Sequence, residues 1–249
     1  MVCSGKNMPE GPSIVILKEE LAPFKGKKVT AVAGTTNTFN LQEIKNKTPT
    51  FKTWGKHFLI CFPRFTVRVH FLLFGSYLIN ERKEAKPKLY LKFAKGEVSF
   101  YAGSVKKIEE PLNEVYDWSA DIMNKSWDSK KAIEKLKAMP DALLCDAILD
   151  QEIFVGAGNI FKNEVPFRIR VHPGSKVGNL PPAKLKALVR EMVKFAFDFL
   201  KWKKAGVLKK NWKVHTKTEC PRCDIPLKKV YMGKGKRRTY FCTNCQVKY

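Results

Sequence analysis

Two cysteine pairs near the end of the chain have the spacing of a metal site. Cys220-Pro-Arg-Cys223 and Cys242-Thr-Asn-Cys245 are C-x-x-C pairs with eighteen residues between them, within the range expected of a four-thiolate zinc centre. Two intervening residues let both sulfurs of a pair face one ion. Four thiolates close the tetrahedron with no open position, so one Zn2+ held here would be structural. Disulfides are the alternative, disfavoured in a chain whose first residues lack the apolar stretch of a secretory signal. Cys61 and Cys145 lie in apolar runs and read as small buried hydrophobes, and Cys3 has no comparable partner. The other end raises a different question. Met8-Pro9-Glu10-Gly11-Pro12 has the look of a chain start, yet MVCSGKN precedes it.

Charge points to the partner. Lys and Arg total 47 against 23 acids, a formal net charge of +24. Such a surface repels itself unless it meets a polyanion, and nucleic acid is the first expectation. From Lys201 to Tyr249 there are fifteen Lys/Arg against only Glu219 and Asp224, so the excess concentrates around the cysteines. A zinc hairpin bearing Lys234, Lys236, Arg237 and Arg238 fits a DNA-gripping finger, and equally a ribosomal or transcriptional zinc ribbon.

The elements that must position these groups are legible as changes of period. Residues 12–23 place Ile14, Val15, Leu17 and Leu21 on a helical stripe, with Pro12 suited to a first turn. Residues 27–34, 51–62, 66–80 and 88–103 alternate or run apolar with Gly, Pro or Asn at the breaks, predicting the short strands of a sandwich or barrel. Beyond Trp118 the texture turns helical: 128–151 with a break at Pro140, 159–169 stopped by Pro166, and 181–202 with Leu185, Leu188, Val189, Met192, Val193 and Ala196 at helical spacing. Residues 227–241 read as a hairpin about Gly233-Lys234-Gly235. At 249 residues and 44% apolar content the chain is long enough for two domains. No apolar run approaches the roughly 20 residues of a membrane span.

Taken in order, the Met-Pro-Glu-Gly-Pro start, Gly55-Lys56 in an early hairpin, the stretch 156–164 (GAGNIFKNE) and the Arg237-containing cysteine finger resemble the Fpg/Nei DNA glycosylases. The resemblance spans Met8 to Tyr249 and is strongest to the endonuclease VIII branch. It implies an α+β architecture: an N-terminal β-sandwich (8–120), a helix-two-turn-helix module (121–215) and a C-terminal zinc finger (216–249), with 1–7 as an extension. It implies a base-excision-repair enzyme, a glycosylase and abasic-site lyase acting on double-stranded DNA. The chain is then expected to be a monomer in the cytoplasm, associated with the nucleoid.

The resemblance also assigns roles. Inside a chain the proline nitrogen is an amide with a delocalised lone pair. As a terminus it is a secondary amine, and α-amino groups titrate near 7.7–8, so roughly neutral pH leaves a useful fraction unprotonated. Pro9 is then the nucleophile that forms a Schiff base with the damaged nucleotide. Glu10 is the acid/base at the opening sugar, and Lys56 contacts the lesion phosphate or donates a proton. Without the family, Glu10 reads as a helix N-terminal acid and Lys56 as a turn lysine. Asn159 and Arg237 are implied phosphate clamps, with Gly156 and Gly158 admitting an anion to the helix start. Leu72, Leu73 and Phe74 are either the wedge that fills the gap left by a flipped base or ordinary core strand residues.

Departures from the family pattern sharpen the substrate. Ser13 stands where a second glutamate is usual. No Arg-x-Phe wedge pair occurs near 100–115, and 203–219 leaves no room for the long loop that covers 8-oxoguanine in the Fpg branch. Both absences favour oxidised pyrimidines and abasic sites over 8-oxoguanine. The chemistry further requires a working chain that begins at Pro9, from initiation at Met8 and removal of that methionine. Otherwise the expectation is a non-catalytic binder of damaged DNA. Intact-mass analysis of protein from its native cell is expected to show a dominant species starting at Pro9; one retaining Val2 contradicts this.

Overall fold

The structure is a computed structural model that describes residues 9–249; the extension 1–7 and Met8 lie outside the described residues. The chain divides into two compact units, one ending at Tyr116 and the other running Asp117–Tyr249.

The first unit opens with helix α1 (Gly11–Glu20) and continues through eight strands: β1 (Val29–Ala33), β2 (Thr50–Trp54), β3 (His57–Cys61), β4 (Thr66–His70), β5 (Ser76–Ile79), β6 (Leu89–Phe93), β7 (Glu97–Tyr101) and β8 (Ser104–Ile108). They form two four-stranded antiparallel sheets, ordered β1-β6-β7-β5 and β2-β3-β4-β8. The inner faces share one apolar core, to which Phe58, Ile60, Val67 and Val69 contribute from one sheet and Leu89, Leu91, Phe93 and Phe100 from the other. Phe58 and Phe100 meet across it at 5.9 Å between ring centroids. This is the sandwich that alternating strands predict. Ile14, Leu17 and Leu21 of the α1 region join that core, and α1 packs against β2 and β3.

The short helix α2 (Leu112–Val115) closes the first unit, and the second is built on α3 (Ser129–Lys137), α4 (Leu144–Ala147), α5 (Asn159–Arg168) and α6 (Pro182–Lys204), followed by the hairpin β9 (Lys228–Met232) and β10 (Arg237–Phe241). Turns over 148–158 join α4 to α5, giving the helix-two-turn-helix arrangement. The helical run expected over 128–151 therefore ends at Ala147. Asp128 caps α3, its side chain accepting from the amides of Lys130 and Lys131. The buried face of α6 carries Leu185, Leu188, Val189, Met192, Phe195, Ala196 and Phe199, and Phe195 meets Phe161 of α5 edge-to-face at 4.9 Å.

Pro166 does not stop α5, which runs through it to Arg168. A proline there forgoes one bond, to the carbonyl four residues back, and in the last turn that loss is small. The helix closes instead through Ile169 N–H to the Val165 carbonyl and Val171 N–H to the Pro166 carbonyl.

Between β4 and β5 the chain turns at 71–75. Phe71 is buried beneath the turn near Tyr77 and Phe100, while Leu72, Leu73 and Phe74 are 48%, 59% and 84% exposed. Phe71→Ala is expected to lower stability by about 3–5 kcal/mol, and Phe74→Ala to change it by no more than about 0.5 kcal/mol. Denaturant unfolding of the two variants checks the contrast.

Candidate nucleic-acid interface and metal centre

In the first unit, Pro9 is half-buried immediately before α1. Glu10 is the residue at the helix cap, with extended backbone and 3% exposure, and its carbonyl accepts from Ser13 N–H at 2.8 Å. Gly11 and Pro12 form the first helical positions, so the Pro-Glu pair is carried by the end of a helix rooted in the sandwich core. Ser13 is buried.

Lys56 sits in the two-residue turn between β2 and β3, where Trp54 pairs with His57. Gly55 takes φ 51° there, a left-handed conformation that glycine adopts without penalty. An aromatic platform backs this turn. The Trp54 ring lies 4.7 Å from that of Tyr116 and 5.3 Å from that of His57, and His57 Nδ1 is 3.2 Å from the Tyr116 hydroxyl. Burial, followed by the charges of Arg68, His70 and Lys56, pushes His57 down to about 3. It is a neutral ring at physiological pH. Burial, then the charges of Lys56 and Arg68, likewise lowers His70.

The turn at 71–75 settles one of the two readings for Leu72, Leu73 and Phe74: they are not core strand residues. Leu72 has φ 54°, which costs a non-glycine residue about 1–2 kcal/mol. Gly75 allows the closure. Its N–H donates to the Phe71 carbonyl at 2.7 Å, and a Cβ at this position would lie 2.2 Å from that oxygen. Three consecutive apolar side chains therefore stand in solvent on a constrained turn.

In the second unit, α5 organises the surroundings of Asn159 and Arg237. Gly156 takes φ 98°, its N–H donating to Gln151 Oε1 at 3.3 Å, and Gly158 caps the helix. Asn159 is the first helical residue, and its Nδ2 lies 3.4 Å from the Arg238 carbonyl. One turn on, Lys162 Nζ donates to that carbonyl at 2.9 Å and to Thr239 Oγ1 at 2.5 Å. Asn163 Oδ1 accepts from Tyr240 N–H at 3.1 Å. Glu164 takes the amides of Lys213, Val214 and His215, each at 2.9 Å on Oε1. Burial pushes the Lys162 ammonium down to about 8, with the Arg237 charge adding to the effect. The far end of the hairpin is also held: Lys234 N–H lies 3.0 and 3.2 Å from the two carboxylate oxygens of Asp146. Arg237 itself is exposed at the start of β10.

The four cysteine sulfurs all lie within 4.8 Å of one another, and Cys220 Sγ to Cys245 Sγ is 3.8 Å. A tetrahedron with metal–sulfur bonds of about 2.3 Å has edges of about 3.8 Å, whereas a disulfide bond is about 2.05 Å. The set fits one tetrahedral ion, and the cysteines are free rather than bridged. Gln246 supports the second pair, accepting from Cys242 N–H at 2.9 Å and donating to the Val171 carbonyl at 2.8 Å. Cys61 is half-buried and Cys145 buried.

No family profile matches the chain. Individual proteins do. It is 32% identical over 204 residues to mouse endonuclease 8-like 3, covering 78% of this chain and 34% of that protein. It is 32% identical over 197 residues to bovine endonuclease 8-like 2, covering 72% and 58% respectively. Formamidopyrimidine DNA glycosylase of Lactococcus lactis, solved with DNA containing an abasic site, superposes with a TM-score of 0.84 at 22% identity, covering 96% of this chain and all of that one. The chain belongs to the Fpg/Nei family. It spans about a third of the endonuclease 8-like 3 proteins and under three-fifths of endonuclease 8-like 2. Among the described residues, no helix is long and apolar enough to cross a membrane.

Within this Fpg/Nei chain the residues missed by sequence reasoning are Lys162, Asn163, Glu164 and Asp146. Three adjacent polar residues inside an otherwise apolar helix were the available signal, because a helix needs no such run on its core side. His215 was missed as well: it is 6% exposed and its Nδ1 lies 2.8 Å from Asn163 Nδ2. Burial, then the Lys162 charge, pushes it down to about 4. The unfolded chain binds a proton at His215 near pH 6.5, which the folded chain refuses, so acidification destabilises the fold as pH falls from about 6.5 towards 4. At pH 5 this histidine is expected to cost on the order of 1–2 kcal/mol relative to pH 7. His215→Gln should remove that share, as read from denaturant midpoints at the two pH values.

Proposed function

We propose that the chain is a bifunctional DNA glycosylase and abasic-site lyase of base-excision repair. The observation that carries this reading is the joining of Asn159 to the Arg237 hairpin through the Arg238 carbonyl. Two residues suited to gripping phosphate, remote in sequence, thereby share one rigid support on a strongly cationic chain. The DNA-bound Lactococcus enzyme with its closely similar fold and the endonuclease 8-like relatives support it.

In this reading Arg237 forks onto a phosphate and Asn159 presents its amide, assisted by the positive end of α5. The Pro9 nitrogen attacks the anomeric carbon of a flipped nucleotide, and the bond to the damaged base breaks, the base leaving with the electron pair and taking up a proton. Glu10 protonates the ring oxygen as the sugar opens, leaving an iminium between Pro9 and the sugar. That cation acidifies the adjacent carbon, so proton loss expels the 3′ phosphate by β-elimination and then the 5′ phosphate by δ-elimination. Lys56 holds the lesion phosphate or donates a proton. Leu72, Leu73 and Phe74 fill the space vacated in the stack. The ion in the cysteine cluster is Zn2+, held by Cys220, Cys223, Cys242 and Cys245 in a structural role. The substrates are oxidised pyrimidines and abasic sites in double-stranded DNA, and the enzyme resides with the nucleoid. The active chain begins at Pro9, because an acylated Pro9 nitrogen has no lone pair to offer.

Borohydride reduction freezes the iminium as a covalent adduct. Protein beginning at Pro9 is expected to trap on an abasic-site oligonucleotide, and protein retaining Val2 to bind without trapping. Absence of an adduct from a verified Pro9 terminus rejects the enzyme reading. Separately, Arg237→Ala is expected to weaken DNA binding and flatten the log–log salt dependence by about one unit, whereas Asn159→Ala weakens it with little change of slope. Titrations at three or more salt concentrations distinguish the two.

A further inference from the structure

Arg222 stands between the cysteines of the first pair and is directed at the end of a helix. Its Nη1 donates to the Phe167 carbonyl at 2.7 Å, and Nη2 lies 3.5 Å from the Arg168 carbonyl. The guanidinium stacks 4.0 Å from the centroid of the Phe167 ring. The same Nη1 is 3.9 Å from Cys245 Sγ, a ligand of the other pair. One side chain thus touches the last carbonyls of α5, an aromatic ring that is 1% exposed, and a metal-ligating sulfur.

Each contact has a physical reason. The final carbonyls of a helix lack intrahelical donors and favour a cation. A divalent ion neutralises only half the charge of four thiolates, so an always-charged guanidinium beside one sulfur offsets part of the remainder. Phe167 packs with Cys220, Cys242, Val214 and Tyr240 in one small cluster, so the stacked ring backs the sulfurs as well as the arginine. Lysine cannot reproduce this, since its ammonium neither forks nor stacks.

We propose that Arg222 is a positioning residue of the metal centre, slowing loss of the ion and tying metal occupancy to the order of the last turn of α5. This rests on the four cysteines holding zinc. Arg222 keeps an exposed flank, so solvent screens part of its charge. The effect belongs at the low end of the 10–100-fold range for groups that orient metal ligands.

The test uses the full chain loaded with zinc and challenged with excess colorimetric chelator. Arg222→Gln is expected to release the ion roughly tenfold faster than the unaltered protein, with Arg222→Lys between them. Hydrogen exchange of the amides at 169–171 should accelerate in Arg222→Gln, and likewise in the unaltered protein once stripped of zinc. Release and exchange equal to those of the unaltered protein overturn the proposal. Should Arg222→Gln fail to fold, Arg222→Lys decides: release at the unaltered rate overturns the proposal, and faster release supports it. Metal analysis separates the premises. A purified chain holding no zinc defeats the metal reading and this inference together, whereas one zinc per chain with equal release defeats this inference alone.

Discussion

Three consecutive side chains of α5 (Lys162, Asn163 and Glu164) are sealed from water, each no more than 1% exposed, and bond to groups 49 to 77 residues away in sequence. The second unit depends on this constraint. A buried amide, ammonium or carboxylate left without its partner costs about 1–3 kcal/mol, more when charged. The hairpin at β10, the segment at 213–215 and the helix therefore hold their relative placement together or lose it together. Asn159 and Arg237 inherit their spacing from that arrangement, because neither is itself buried enough to be held by packing.

The first unit solves its positioning problem with packing rather than buried charge. Lys56 rides on a two-residue turn backed by Trp54, His57 and Tyr116, rings with few rotamers and large contact area. Glu10 is presented at the start of a helix whose apolar face is shared with both sheets. The turn at 71–75 works by opposition: Phe71 is anchored inward, and its three successors are forced outward by a left-handed Leu72 and a glycine that nothing larger can replace. A constrained turn keeps exposed apolar groups from collapsing onto the nearest surface, and that is the property an inserted side chain needs.

The cysteine cluster ties local geometry to the same helix. Its two pairs come from the flanks of the β9–β10 hairpin, and its neighbours Arg222 and Gln246 bond to main chain at Phe167 and Val171, at and just beyond the end of α5. The start of this helix faces the hairpin strand, and its end faces the cysteine cluster. One ten-residue element thus carries both the end that bears Asn159 and the end tied to the cysteine cluster, a division that suits the opposite partial charges of its termini.

Much of this was legible in the amino-acid sequence because it is written in short-range terms. Alternating residues announced the sandwich strands, the stripe from Leu185 to Ala196 announced α6, and two C-x-x-C pairs announced a four-sulfur cluster. Each depends on periodicity or spacing within a few turns of chain. Pro166 was misread because its cost depends on where in a helix it falls, and the helix end is defined by later contacts. The exposure of Leu72, Leu73 and Phe74 was undecided for a related reason: an apolar triplet fits a core strand equally well until a left-handed residue turns it outward. Composition and spacing by themselves determined the kinds of element, the cysteine cluster and the cationic character. Tertiary structure alone decided that Lys162, Asn163, Glu164 and Asp146 hold Asn159 beside the hairpin, because hydrogen bonds between residues so far apart exist only once the chain has closed around them.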